Sequence, residues 1–315
     1  MLRRSILASL LAAPATAQTP ERALRLIIAF PPGGSTDILG RLIAPRLGEV
    51  LGGLVTPENR SGASGAVGAG FVAQAAPDGG TILLDSGGQS VNPFLMRGLG
   101  FDYVRDLAPV TLLATLPLIL ITRADDGVAD LPGLLARLRA QPEQARYGSV
   151  GVGSRTHLAA ASLLRRAGIK GEHIPYRGGA DQMAGLLRGD VPFGFTSLAL
   201  ATPLIRDGKA HAIGLSAPAR SPAFPALPTI GEQGFAGFQM GDWLGLLAPA
   251  ATPAPVIARL AAAAKEAVEQ PALKPRLEAL GLTPAAEGPA TFARFLAAER
   301  AEMQALILAE GIRLD

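Results

Sequence analysis

An α/β fold of largely parallel sheets, covered by helices on both faces and divided between two lobes, is what this sequence predicts. Three observations point there. Short apolar runs of strand length alternate with segments of helical period. The 315 residues leave ample chain for two cores rather than one. Gly/Ser-rich turns follow one strand after another, as at the carboxyl edge of a parallel sheet, where ligand crevices form.

The first 17 residues read as an export signal. Arg3 and Arg4 form the basic start, residues 6–13 the apolar stretch, and Ala15-Thr16-Ala17 a small-residue cleavage site, so the mature chain is expected to begin near Gln18 in the periplasm. The apolar stretch is far shorter than the roughly 18–20 residues a membrane span needs. Next come a strand over 24–30, a helix over 37–51, a strand over 54–57, a helix over 66–76 and a strand over 81–84, with Pro77-Asp78-Gly79-Gly80 as the turn before the last. That is a βαβαβ unit.

Two apolar runs, 110–114 and 116–122, precede a second block. There the pattern predicts helix over 131–140, strand over 145–149, helix over 156–167, strand over 173–175, helix over 180–188, strand over 191–195, helix over 198–207 and strand over 211–216. The Pro-rich stretch 218–228 crosses a surface, because proline cannot serve a central strand. A buried strand over 243–248 and amphipathic helices over 256–269 and 291–309 finish the chain. The runs 116–122 and 243–248 bracket the second block, either as a two-strand hinge or as ordinary sheet strands. The hinge reading divides the chain into 18–119 (first lobe), 120–243 (second lobe) and 244–315 (return to the first).

Charge and composition narrow the function. Of 29 basic residues, Arg3 and Arg4 fall in the signal, leaving 27 against 26 acidic residues, a net of about +1. No basic run with interleaved aromatics is present, which argues against nucleic acid. Without cysteine the chain has no disulfide, thiolate metal site or thiol nucleophile. No His/Asp/Glu cluster has metal-ligand spacing, so no metal or other cofactor is expected.

The strongest local signal is Pro32-Gly33-Gly34-Ser35-Thr36-Asp37 after the first strand. Glycines admit a ligand to the backbone, Ser35 or Thr36 can cap the helix, and the helix start directs N–H groups and a positive dipole end at an anion. The alternative is a well-capped turn and nothing more. Similar turns recur at 59–65, at 86–93 with Ser86, Gly87 and Gln89, and at 149–157 with Ser149, Ser154, Arg155 and His157. Repetition after successive strands implies one shared crevice. A Walker loop fails for want of Gly-Lys-Ser/Thr, a Rossmann fingerprint for want of its third glycine, and a hydrolase for want of a Gly-x-Ser-x-Gly elbow, so no catalytic residue is assigned. The lone Trp243 either covers a ligand or fills the core.

The segments PPGGSTD (31–37), ENRSGASG (58–65), APDGGTILL (76–84), Asn92-Pro93, GVGSRTHLA (151–159), PYRGG (175–179) and WLGLLAPAATP (243–253), in this order, resemble the solute receptors of tripartite tricarboxylate transporters, the Bug or TctC family. The resemblance runs from about Leu24 to Leu314. It implies a bilobed periplasmic binding protein of type II (Venus-flytrap), with two mixed or parallel sheets flanked by helices. Such a protein works as a monomer without enzymatic activity, takes a small carboxylate between its lobes and delivers it to a membrane permease; the alternative partner is a sensor histidine kinase. It further implies a ligand carboxylate held mainly by backbone N–H groups and water, with Gly33, Ser35, Thr36 and Asp37 as one wall, Ser86, Gly87 and Gln89 as a second, and Ser149, Ser154 and His157 opposite. Thr196 stands where relatives commonly carry an acid, removing a partner for a ligand amine. Arg155 is an added charge that either pairs with a second ligand carboxylate or is solvated.

Overall fold

The computed structural model describes residues 23–221 and 224–312; the expected export signal lies outside them. The first block forms β1 (Leu24–Ile28), α1 (Ser35–Leu51), β2 (Val55–Asn59), α2 (Ala66–Ala73), β3 (Thr81–Asp85) and α3 (Gly88–Leu95). A strand β4 (Leu107–Arg123) leads to α4 (Leu131–Ala140), β5 (Arg146–Ser149), α5 (Arg155–Arg166), β6 (Glu172–Pro175), α6 (Gly179–Arg188), β7 (Phe193–Ser197), α7 (Leu198–Arg206) and β8 (Ala210–Ser216). The chain ends with β9 (Gly241–Pro249), α8 (Ala254–Val268), α9 (Lys274–Ala279), β10 (Thr283–Glu287) and α10 (Pro289–Glu310). Among the described residues no helix is long and apolar enough to cross a membrane.

Both blocks contain the same parallel trio. β1 pairs in parallel with β2 and β3, and β5 pairs in parallel with β6 and β7, so the first strand of each block is central. The trios join through β4, which is one 17-residue strand rather than the two runs that the sequence suggests. Thr115 does not interrupt it, because this residue is paired with Trp243 on one side and Thr283 on the other. From Leu107 to Pro117, β4 pairs with β9; from Leu118 onward it pairs with β7 and β8. The sheet therefore changes partners at Pro117–Leu118, and β9 lies wholly with the first trio.

Apolar runs without alternation reflect burial on both sheet faces. Leu26 and Ile28 face one core and Ile27 the opposite one. In the second half Leu118 and Leu120 face one core while Ile119 and Ile121 face another. Fully burying each such side chain is worth roughly 1.5–3 kcal/mol. Helix α10, assigned on sequence to the first lobe, packs on both: Phe292 and Leu296 enter a core of the first half, Met303 and Ile307 a core of the second.

Candidate functional site

Where the halves meet lies a cavity of about 370 Å³, bordered by Pro32, Gly34, Ser35, Thr36, Ser86, Leu116, Val150, Thr156, Arg177–Asp181, Thr196, Ser197, Leu200 and Asp242, among others. Its shape follows from how three helices begin. The N-caps are Gly34 for α1, Gly178 for α6 and Ser197 for α7, and none makes a side-chain capping bond. The sequence favours Ser35 or Thr36 as the cap of α1, but both lie inside the helix and Gly34 precedes it. A glycine cap supplies no side-chain acceptor, so first-turn N–H groups of α1 and α6 are left for the cavity. Helix α5 differs, since Ser154 caps it by accepting the His157 N–H at 3.3 Å.

The turn before α1 is fixed from behind. Gly33 adopts φ 83°, which favours glycine, and its N–H donates to Asp37 Oδ2 at 3.0 Å. Asp37 also accepts from Arg41 Nε (2.9 Å) and Asn59 Nδ2 (2.8 Å). This buried carboxylate anchors the loop and is absent from the cavity wall.

The two halves are in contact around the cavity. Ser35 Oγ donates to Ser197 Oγ at 2.7 Å, and Ser64 Oγ donates to the Val152 carbonyl at 3.1 Å. Ala63 and Ser64 hold positive φ angles of 45° and 48°, so backbone strain coincides with an interlobe contact.

Of the residues expected at the site, Pro32, Gly34, Ser35, Thr36, Ser86 and Thr196 border the cavity, and the others support it or lie elsewhere. Gln89 is buried and accepts from Arg300. Gly87 lies against the Arg155 side chain. Ser149 Oγ lies 2.6 Å from His173 Nε2, and His173 stacks on His157 with ring centroids 3.7 Å apart. His157 Nδ1 accepts the Gly153 N–H, so the buried His157 and the half-buried His173 shape the loop carrying Val150 and Val152. Burial pushes His157 down to about 3, helped by its neighbour, and His173 down to about 4.

Two expectations need correction. Arg155 does not point into the cavity; its guanidinium is buried, ion-paired with Glu299 and set against Met303 Sδ. Helix α5 presents Thr156 to the cavity and Arg155 to a second, larger hollow of about 1020 Å³, which shares only Leu116 and Asp242 with the first. Trp243 is core, with Phe292 and Phe295 edge-on at 5.5 and 6.0 Å, and it borders only that second hollow.

Sequence reasoning missed Arg177 to Asp181, Thr156, Ser197 and Asp242. Gly178-Gly179 before α6 is the same signal as Gly33-Gly34 before α1, and it stands in plain view in the sequence. Asp242 could not be placed, because nothing local marks a strand start as the floor of a cleft. It accepts N–H groups from Trp243 (2.8 Å) and Gly87. Burial raises its carboxyl, and Arg155 and those N–H groups oppose the rise. Nearby Asp85 is fully buried, accepts only the Ser86 N–H among its bonds and is pushed up to about 8 by burial, with Asp242 adding to the rise.

A family model described as tripartite tricarboxylate transporter family receptor, TctC, matches residues 39–312. Protein BugT of Bordetella pertussis is 32% identical over 96% of this chain and 94% of its own length. MatC from Rhodopseudomonas palustris, solved with bound malate, is 30% identical with a TM-score of 0.85 over 91% of this chain and 99% of its own. A second R. palustris protein, solved with adipate, is 29% identical with a TM-score of 0.90 over 94% and 99%.

Proposed function

This chain belongs to the tripartite tricarboxylate transporter receptor family, and from that premise we propose that it is a periplasmic receptor that captures a small mono- or dicarboxylic acid between its halves, releases it chemically unchanged and hands it to a membrane permease. The observation that carries this reading is the convergence of three helix N-termini, none capped by a side chain, on one cavity. Oriented N–H groups favour a carboxylate without a buried guanidinium, because charge-assisted hydrogen bonds are about twice as strong as neutral ones. Malate and adipate in the two relatives support the ligand class. Export is supported by residues 1–17, expected to be cleaved near Ala17.

Titration calorimetry of the mature protein against mono- and dicarboxylic acids of three to six carbons tests the proposal. At least one acid should bind, saturably and with a stoichiometry of one, and be recovered intact. Absence of binding across the series, together with no acid in native mass spectra of freshly isolated protein, would overturn it.

A further inference from the structure

Granted that the cleft holds a carboxylate, its own charges are the wrong way round. Only Arg177 among its lining residues is cationic, and this residue is exposed, whereas Asp181 and Asp242 are both acidic. Asp181 is exposed and can turn to water. Asp242 cannot, since the N–H groups of Trp243 and Gly87 fix it at the head of β9, against the hinge. The sequence pointed to a pocket with no acid for a ligand amine and with Arg155 for a second carboxylate. The structure reverses both, for Arg155 is turned away onto Glu299 and an acid forms part of the wall.

Arg155 behind it offsets part of its charge, yet an acceptor-only carboxylate in the wall still disfavours a ligand made only of carboxylates and methylenes. The same carboxylate attracts a ligand that offers O–H or N–H. In the same cavity wall Thr196 Oγ1 is buried at 1% exposure and has no hydrogen-bond partner among the described residues. The cavity wall thus combines N–H donors from helix starts with the Asp242 carboxyl group and the free Thr196 hydroxyl.

We propose that Asp242, assisted by Thr196, reads a hydroxyl or ammonium substituent, making the ligand a hydroxy- or amino-carboxylate rather than an unsubstituted aliphatic acid. This rests on the carboxylate reading above and sharpens it. A buried acceptor left without its donor penalises the unsubstituted analogue much more than a missing methylene would.

Matched acids separate the alternatives: propionate, lactate and alanine; succinate, malate and aspartate; glutarate, 2-hydroxyglutarate and glutamate. Calorimetry should show, in whichever skeleton binds, that the hydroxy or amino member binds at least about tenfold tighter than the unsubstituted one. Asp242→Asn should shrink that ratio to within about threefold while the unsubstituted acid holds or gains affinity as repulsion is relieved. Thr196→Val should shrink it in the same direction, and supplies the readout if Asp242→Asn fails to fold. Equal binding within a skeleton, or equal weakening of every member by both variants, overturns the role of Asp242 and leaves the carboxylate reading intact. Binding of an unsubstituted acid from the wider three- to six-carbon series while all nine fail overturns the role of Asp242 alone, and failure of the whole series with no acid in native mass spectra overturns both.

Discussion

Ser35 at the start of α1 and Ser197 at the start of α7 share a hydrogen bond of 2.7 Å across the cleft, although 162 residues separate them. The bond exists only while the halves are together. Ser35→Ala should therefore weaken ligand binding by about 2- to 10-fold, the equivalent of roughly 0.5–1.5 kcal/mol. The unliganded protein should melt within a degree or two of the parent, and calorimetry beside thermal unfolding checks both.

Closure also brings Pro31 against Gly178. A Cβ at Gly178 would sit 3.1 Å from Pro31 Cγ, tighter than a relaxed contact. Gly178→Val should hold the cleft ajar and cut affinity more than tenfold, and small-angle scattering should show a larger radius in the presence of ligand than for the parent. An unchanged affinity would mean that the two loops do not approach in solution.

Arg155 and Glu299 form a buried ion pair on the far side of the hinge. Arg155→Ala leaves the largely buried Glu299 without its partner and should cost up to about 3 kcal/mol of stability, read by urea unfolding. Arg155 also helps to keep the nearby Asp242 carboxyl charged, so the folded fraction should lose part of its preference for a hydroxy or amino acid over the unsubstituted one. A selective loss of dicarboxylate binding at unchanged stability would instead return Arg155 to the site.

Stability should depend on pH from two opposed sources. His157 and His173 are held neutral, at about 3 and about 4, below their ordinary range, so the unfolded chain takes up protons first. Stability is thus lost as pH falls from about 6.5. Asp85 is held protonated up to about 8, so its contribution is complete below its ordinary value and is lost as pH rises from about 4 to 8. In a melting-temperature profile Asp85→Asn should flatten the loss between about pH 6.5 and 8 and steepen the loss between about pH 6.5 and 4, where Asp85 had opposed the histidines, whereas His173→Gln should flatten that acid side.

The alternation of strand and helix was legible because each element carries its own period; α4 falls on the residues expected, Leu131–Ala140. Helix α3 was read as a turn, since Gly88, Ser90 and Pro93 argue against a helix locally and only its packing under α10 sustains it. Strand β10 was missed because Pro284 and two alanines give no strand signal, and pairing with β4 creates it. At the site the turn before α1 lies on the cavity as the glycines suggested, with its cap at Gly34 rather than Ser35 or Thr36. Arg155 was misplaced and Asp242 missed for one reason: which way a side chain points where the two halves meet depends on the partner half, and no spacing along the chain encodes that.

Helix α10 touches both halves, and so do β4 and the segment running from β8 to β9. Three separate bridges leave little freedom for the halves to slide or shear. Any movement between the halves should therefore be a rotation about an axis near Pro117 and Gly241, where β4 changes partners. Entry of a solute should then need only a shallow tilt, with α10 acting as the stop that limits its amplitude.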